Sequence, residues 1–350
     1  MITDMIMGTT TATDITITIR STTTMKRRDF LKQSGLALAA APLLTAGAGG
    51  IGTVLAGGNK VTLKIGYLPI TDHLLMIAAE REPFKTVAIE PVKFSSWPEI
   101  AEALKAGAID GGFLLTPIGL TLRKKGVPIQ VVLLGHRNGS VITVKNEAGI
   151  DRIEDLKGRT IAIPSPFSTH NILLRKVLTE HRIDPASDLK IIDMAPPEMV
   201  NALATGRIDG YIVAEPFGAQ AEAQKVGKIL TLSKDIWPDH ICCVLNVQEK
   251  VIADHPEAVQ ELVSGMVRTA SYIAANPAAA AKGSKKIIGQ KPVIVETVLT
   301  TPRGRLTFQD LVPREADFAA TQDYMVQFGI AKDKTDLAAY LNDRFVKGAA

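Results

Sequence analysis

The sequence predicts an α/β protein of two similar lobes, each a mixed sheet flanked by helices. Two observations carry that expectation. The segment PEIAEALKAGAIDGGFLLTPIG at 98–119 is nearly rewritten as PEMVNALATGRIDGYIVAEPFG at 197–218. Gly107 pairs with Gly206, Asp110 with Asp209 and Pro117 with Pro216, each 99 residues apart. Upstream of each copy lies a second matched pair, KIGYLPITDHLLMIAAE from Lys64 and TIAIPSPFSTHNILLRKVL from Thr160. Aligning Pro69 with Pro166 puts Thr71 on Ser168 and His73 on His170.

Taken in order, residues 1–58 read as a leader outside the fold. A Thr-rich run without periodicity ends at Thr24, and MKRRDFLKQSGLALAAAPLLTAGAGG begins at Met25. A basic head, an apolar middle and a small-residue end describe a secretory leader. The paired Arg27 and Arg28 before Phe30, Leu31 and Lys32 resemble a twin-arginine export signal over 25–58. Translation is expected to start at Met25, with cleavage near Ala48 or Ala56 or retention as an anchor. Without the leader the formal charge falls from +4 to +2, since five bases and three acids leave with it.

The remaining chain predicts the first lobe at 59–145 plus 243–350, and the second at 146–242. In each lobe an apolar strand leads into a proline turn with a hydroxyl residue, then a helix opening near a histidine. A further helix closed by glycine and an apolar strand ending in proline follow. Alternation of that kind argues for parallel strands with covering helices. Asp151–Gly158 is a charged bridge into the second copy, and the return crossing is expected near Pro238–Leu245. The C-terminal hundred residues read as amphipathic helices that pack on the first lobe and supply bulk rather than chemistry.

Composition narrows the function. An apolar content of 46% with 22% charged residues is ordinary for a globular protein. The small positive charge and 5% aromatic content argue against a nucleic-acid partner. The only cysteines, Cys242 and Cys243, are adjacent. Neighbouring Cα atoms lie about 3.8 Å apart, against the roughly 4.4–6.8 Å of a relaxed disulfide. They are therefore expected to be free, and in an extended segment only one would face the cleft. Walker, HExxH, GxSxG and CxxC motifs do not occur.

Two such lobes leave a cleft at the carboxyl ends of their strands, where helix N-termini favour an anion or polar group. The paired Thr71–His73 and Ser168–His170 turns lie there, although Thr71 and Ser168 also read as plain N-caps. Glu215 and Asp72 are carboxylates near the same cleft. Glu215 would repel an anion unless it pairs with a lysine, a protonated histidine, a metal or a ligand ammonium.

From Val61 to about Pro277 the chain resembles the periplasmic solute-binding proteins of ABC importers, of the nitrate, bicarbonate, sulfonate and taurine type. Thiamine-precursor binders are cousins. The segments GYLPITDH, ITVKN, DLKGRTIAIPSPFSTHNILLRKVL, APPEMVNALATGRIDGYIVAEPFGAQA and DIWPDHICCV carry the resemblance. It implies a two-lobed type II periplasmic-binding-protein fold and a non-enzymatic protein that closes on a small anionic or zwitterionic solute. The implied partners are permease and ATPase subunits, the implied location the periplasm, and the implied state a monomer. It places ligand contacts on Trp97, His170 and Glu215–Pro216. A family glutamine falls on Ser140, and a lysine of nitrate binders falls on or beside Cys243. The candidate ligand residues are therefore Thr71, Asp72, His73, Trp97, Thr116 and Ser140, with Ser168, Thr169, His170, Glu215 and Cys243. No catalytic residue, cofactor or metal ligand is expected on this reading. The alternatives are an enzyme similar to thiamine-pyrimidine synthases, or a metal binder through Cys242, Cys243, His240 and His170, or a periplasmic sensor.

Overall fold

The computed structural model describes residues 60–349, so the expected leader lies outside the described residues. The chain forms strands β1 (Val61–Tyr67), β2 (Val87–Lys93), β3 (Gly111–Leu115) and β4 (Ile129–Leu134), then the short β5 (Arg137–Asn138). Strands β6 (Ser140–Lys145), β7 (Thr160–Ile163), β8 (Lys190–Asp193), β9 (Gly210–Ala214) and β10 (Gly227–Leu232) follow. Strand β11 (Cys243–Gln248) and the short β12 (Leu306–Thr307) complete the set.

The first sheet has the order β2-β1-β3-β11-β4 and the second β10-β6-β9-β7-β8. Read in opposite directions, the two orders superimpose. Strands β1, β2 and β3 are parallel, as are β7, β8 and β9. In each sheet the parallel trio is extended by one antiparallel strand that has arrived from the other lobe. Strand β11 pairs with β3 in the first, and β6 with β9 in the second. The sheets are therefore mixed, as expected. The boundary expected after residue 145 is corrected: hydrogen bonding puts β6 with the second lobe, so the chain has crossed by Ser140. The local sequence hid this because the strand's partner in the ladder lies about seventy residues away.

The repeated residues have a structural cause. Asp110 Oδ2 accepts from Lys64 N at 2.7 Å, and Asp209 Oδ2 accepts from Thr160 N at 2.8 Å. Each aspartate ties the first parallel strand of its lobe, β1 or β7, to the turn before the central strand. Gly107 and Gly206 have φ of 67° and 72°, the left-handed conformation that closes a helix. Helix Trp97–Lys105 begins on Ser96, whose hydroxyl accepts from Glu99 N at 3.4 Å; Pro196–Ala204 begins on proline instead. The central strands β3 and β9 are buried along their whole length, which explains why they read as unbroken apolar runs.

The C-terminal helices depart from expectation. Helix Pro256–Ala275 packs on β2 and on the Thr71–Ile77 turn of the first lobe. Helix Pro292–Thr300, however, packs on Phe217–Ala223 of the second lobe, and Glu315–Gln327 touches both lobes through Thr116–Lys124 and Thr169–Glu180. Among the described residues no helix is long and apolar enough to cross a membrane.

Candidate functional site

The two lobe crossings meet at one place. Asn138 N donates to His240 O at 3.0 Å and Gly135 N donates to Cys243 O at 2.8 Å. A further bridge joins Arg137 and Ile241. This pairing brings His136 and Ser140 of the outgoing crossing against His240, Cys242 and Cys243 of the return. Gly139 has φ of 90°, and a Cβ there would stand 2.9 Å from Asp72 Oδ1 and 2.7 Å from Leu306 Cδ1. Only glycine allows the crossing to pass this close to the carboxylate.

The first lobe contributes Thr71, Asp72, His73 and Trp97, all fully buried. The expected helix here is a seven-residue 3-10 turn, Thr71–Ile77, without a side-chain cap. Thr71 is thus no N-cap, and its N–H donates to Glu215 O of the second lobe at 3.0 Å. His73 Nδ1 accepts from Leu68 N at 2.9 Å, which places the ring proton on Nε2. Its ring stacks on Phe113 at 5.0 Å between centroids. Burial, with His136 adding to it, pulls His73 down to about 3, so the ring is neutral.

The second lobe contributes Ser168, Thr169, His170 and Glu215. Here helix Thr169–Glu180 is regular, and Ser168 Oγ accepts from Asn171 N at 3.0 Å and donates to Ser165 O at 2.6 Å. Its hydroxyl is committed to the cap. His170 Nε2 lies 3.0 Å from Ser140 Oγ, and its ring lies 5.6 Å from that of Trp97, joining the lobes. Thr116 Oγ1 donates to Cys242 O at 2.9 Å and anchors the return crossing.

Glu215 finds a partner that the sequence did not offer. Arg305, from the segment between the C-terminal helices Pro292–Thr300 and Glu315–Gln327, donates through Nε to Glu215 Oε1 at 2.7 Å and also through Nη2. Burial pushes the carboxyl above its ordinary range, while Arg305 and Ala219 N–H pull it back. The C-terminal region thus supplies charge as well as bulk, which corrects the expectation.

Both cysteines belong to this buried cluster: Cys242, just before β11, has its sulfur 3.9 Å from Ser140 Oγ, and Cys243 opens the strand beside it. Their sulfurs and a ring nitrogen of His136 all lie within 4.8 Å of one another. Both thiols are free. Burial opposes ionisation of Cys242, yet the Cys243 thiol, His170 and His136 together hold it well below the usual thiol range. Burial and the neighbouring Cys242 push Cys243 well above that range. Asp72 Oδ2 lies 3.2 Å from His136 Nε2. Burial raises the Asp72 carboxyl, and Cys242 and Glu215 add to the effect.

All eleven expected residues are buried around these crossings. Sequence reasoning passed over His136 and Arg305. His136 carried no sequence signal: only the fold shows that His73, His136, His170 and His240, four of the chain's six histidines, are buried together here. Arg305 had none either, since its partner is ninety residues away. Among the described residues both Asp72 oxygens, His73 Nε2, Trp97 Nε1, His136 Nδ1, Thr169 Oγ1, His170 Nδ1 and His240 Nε2 are buried without a hydrogen-bond partner.

Comparison with known proteins places this geometry. The chain is 32% identical over 240 residues to the nitrate import ATP-binding protein NrtC of Synechocystis sp., covering 62% of this chain and 36% of that protein. It is 27% identical over 234 residues to the nitrate/nitrite binding protein NrtA of Nostoc sp., covering 60% and 53%. The chain therefore spans between about a third and a half of these curated relatives. Among solved structures, a ligand-binding component of an ABC-type import system from Staphylococcus aureus, with zinc bound, superimposes with a TM-score of 0.75. That likeness is at 26% identity over 83% of this chain and 99% of the other. The expected two-lobed binding-protein fold is thus the one found. With its residues 56–288 matching the family profile, the chain belongs to the NMT1-like family.

Proposed function

We propose that this protein is the extracytoplasmic solute-binding component of an ABC importer, which closes its two lobes on a small solute and delivers it to a permease. One observation carries the reading. Buried polar atoms without partners come from both lobes and both crossings, on residues that the His73–Trp97, Trp97–His170, His170–Ser140 and Asp72–His136 contacts join into one cluster. Each such group costs about 1–3 kcal/mol if left unmade, so a cluster of them is sustained by a polar ligand that satisfies them together. Thr71 N bonded to Glu215 O, and Trp97 against His170, are the contacts expected of lobes drawn together over that ligand. The importer relatives support the transport role. A monomer exported by the twin-arginine route, working in the periplasm with permease and ATPase partners, completes the proposal.

Thermal unfolding of the purified protein against nitrate, nitrite, bicarbonate with and without calcium, taurine, alkanesulfonates, a thiamine pyrimidine and zinc tests it. A solute at a hundred times its dissociation constant adds about 2.7 kcal/mol, a shift of a few degrees. The expected result is one compound that raises the midpoint and a His170→Ala variant that loses the shift. A midpoint unmoved by every compound counts against the proposal.

A further inference from the structure

We infer that Cys242, Cys243 and His136 form a binding site for a thiophilic metal ion of the zinc or copper(I) class, at the junction of the two lobe crossings. The two sulfurs and an imidazole nitrogen lie within 4.8 Å of one another. Two thiolates at ~2.3 Å from a common zinc stand at most ~4.6 Å apart, so small side-chain rotations bring all three onto one ion.

The backbone that holds the donors is fixed from several directions. Cys242 O accepts from Thr116 N at 2.8 Å and from Thr116 Oγ1 at 2.9 Å. Cys243 O accepts from Gly135 N, the residue before His136, at 2.8 Å. The same clamp that joins the crossings therefore sets the distance between thiols and imidazole.

The charges around the chamber also select a cation. The two nearby guanidiniums are already engaged: Arg305 with Glu215 and Thr301 O, and Arg137 with Asp317, Asp310 O and Asp239 O. Facing the cluster are Asp72, whose Oδ1 has no partner, and the buried imidazoles of His73, His170 and His240. A chamber with a carboxylate, two thiols and four imidazoles offers an isolated oxyanion no fixed positive charge. It offers a d10 ion two soft sulfurs and a borderline nitrogen, the donor types such ions select. Asp72 Oδ2, 3.2 Å from His136 Nε2, is the carboxyl group placed to orient the imidazole.

That the ion is the transported solute rests on reading the chamber as a solute site; that these three side chains bind it does not. The purified protein, reduced and stripped with chelator, is offered zinc(II), or copper(I) under anaerobic conditions, each with a competing chelator. Metal is then counted after gel filtration. About one ion per chain is expected in the wild type, falling at least tenfold in the Cys242→Ser/Cys243→Ser double variant and in His136→Ala. A His181→Ala control, altered at an exposed histidine, keeps it. Cobalt(II) provides a second readout, since its sulfur-to-metal charge-transfer band reports thiolate ligation and is lost with the cysteines.

Failure of the reduced, folded wild type to retain either ion overturns the inference. So does full stoichiometry in the double variant, or a vicinal disulfide that persists under reductant. If an oxyanion of the panel closes the metal-free double variant, the metal site fails while the solute-binding reading stands. If metal binds through the cysteines and neither it nor any compound of the panel changes the lobe separation, the metal site stands and that reading fails. The tighter of zinc and copper(I) names the ion.

Discussion

The Glu215–Arg305 pair shows how one residue outside the repeat stabilises the chamber wall. Both groups are almost wholly buried. Removing one member of a buried ion pair leaves an uncompensated charge, at a cost of about 3–5 kcal/mol. Arg305→Met is therefore expected to lose several kcal/mol in urea unfolding, and adding Glu215→Gln to recover part of it. A loss below about 1 kcal/mol would mean the pair contributes no more than a surface contact. Individual side chains were unevenly legible. His73 and His170 were found because the repeat aligns them, and Trp97 and Ser140 because the family pattern does. Arg305 and His136 have no counterpart in either pattern; tertiary folding alone brings them in. Cys242 entered only through the metal-binding alternative, since strand alternation lets one of two neighbours face the cleft; the rule does not apply because the residue precedes the strand.

At the scale of the element, the two histidine turns are sequence copies with different structures. In the second lobe Ser168 caps a twelve-residue helix, whereas in the first Thr71 opens a 3-10 turn held by a backbone contact across the lobes. The difference separates a structural hydroxyl from a candidate ligand. Ser168→Ala is expected to cost about 1 kcal/mol of stability, within the ~0.5–2 kcal/mol range of lost N-caps. Midpoint and solute titration measured on the same sample check this: the midpoint falls and solute affinity stays. Loss of affinity at unchanged stability would instead make Ser168 a ligand. Helices, glycine stops and central strands were legible because local periodicity encodes them. Strand β6 was placed in the wrong lobe because its ladder partner β9 lies about seventy residues further on, whereas β11 was placed with the first lobe, where it pairs with β3.

On the scale of the whole molecule, the exchange of β6 and β11 places the two lobe crossings and the candidate site on the same residues. His136, Gly139 and Ser140 lie on one crossing, and His240, Cys242 and Cys243 on the other. Any ligand bound there contacts the segments that must flex for the lobes to part. The two-lobed plan was readable from the repeat, whereas the C-terminal helices that span both lobes were not, since amphipathic helices do not declare which face of a protein they cover. The central claim is that this protein closes on a solute, and small-angle scattering tests it most directly. Scattering is recorded from stripped protein, then with zinc and with each oxyanion of the panel at saturation, in wild type and His170→Ala. The account predicts that the bound solute shrinks the radius of gyration of the wild type, and that the variant stays expanded at the same concentration. A solute that binds while leaving the radius unchanged would contradict it.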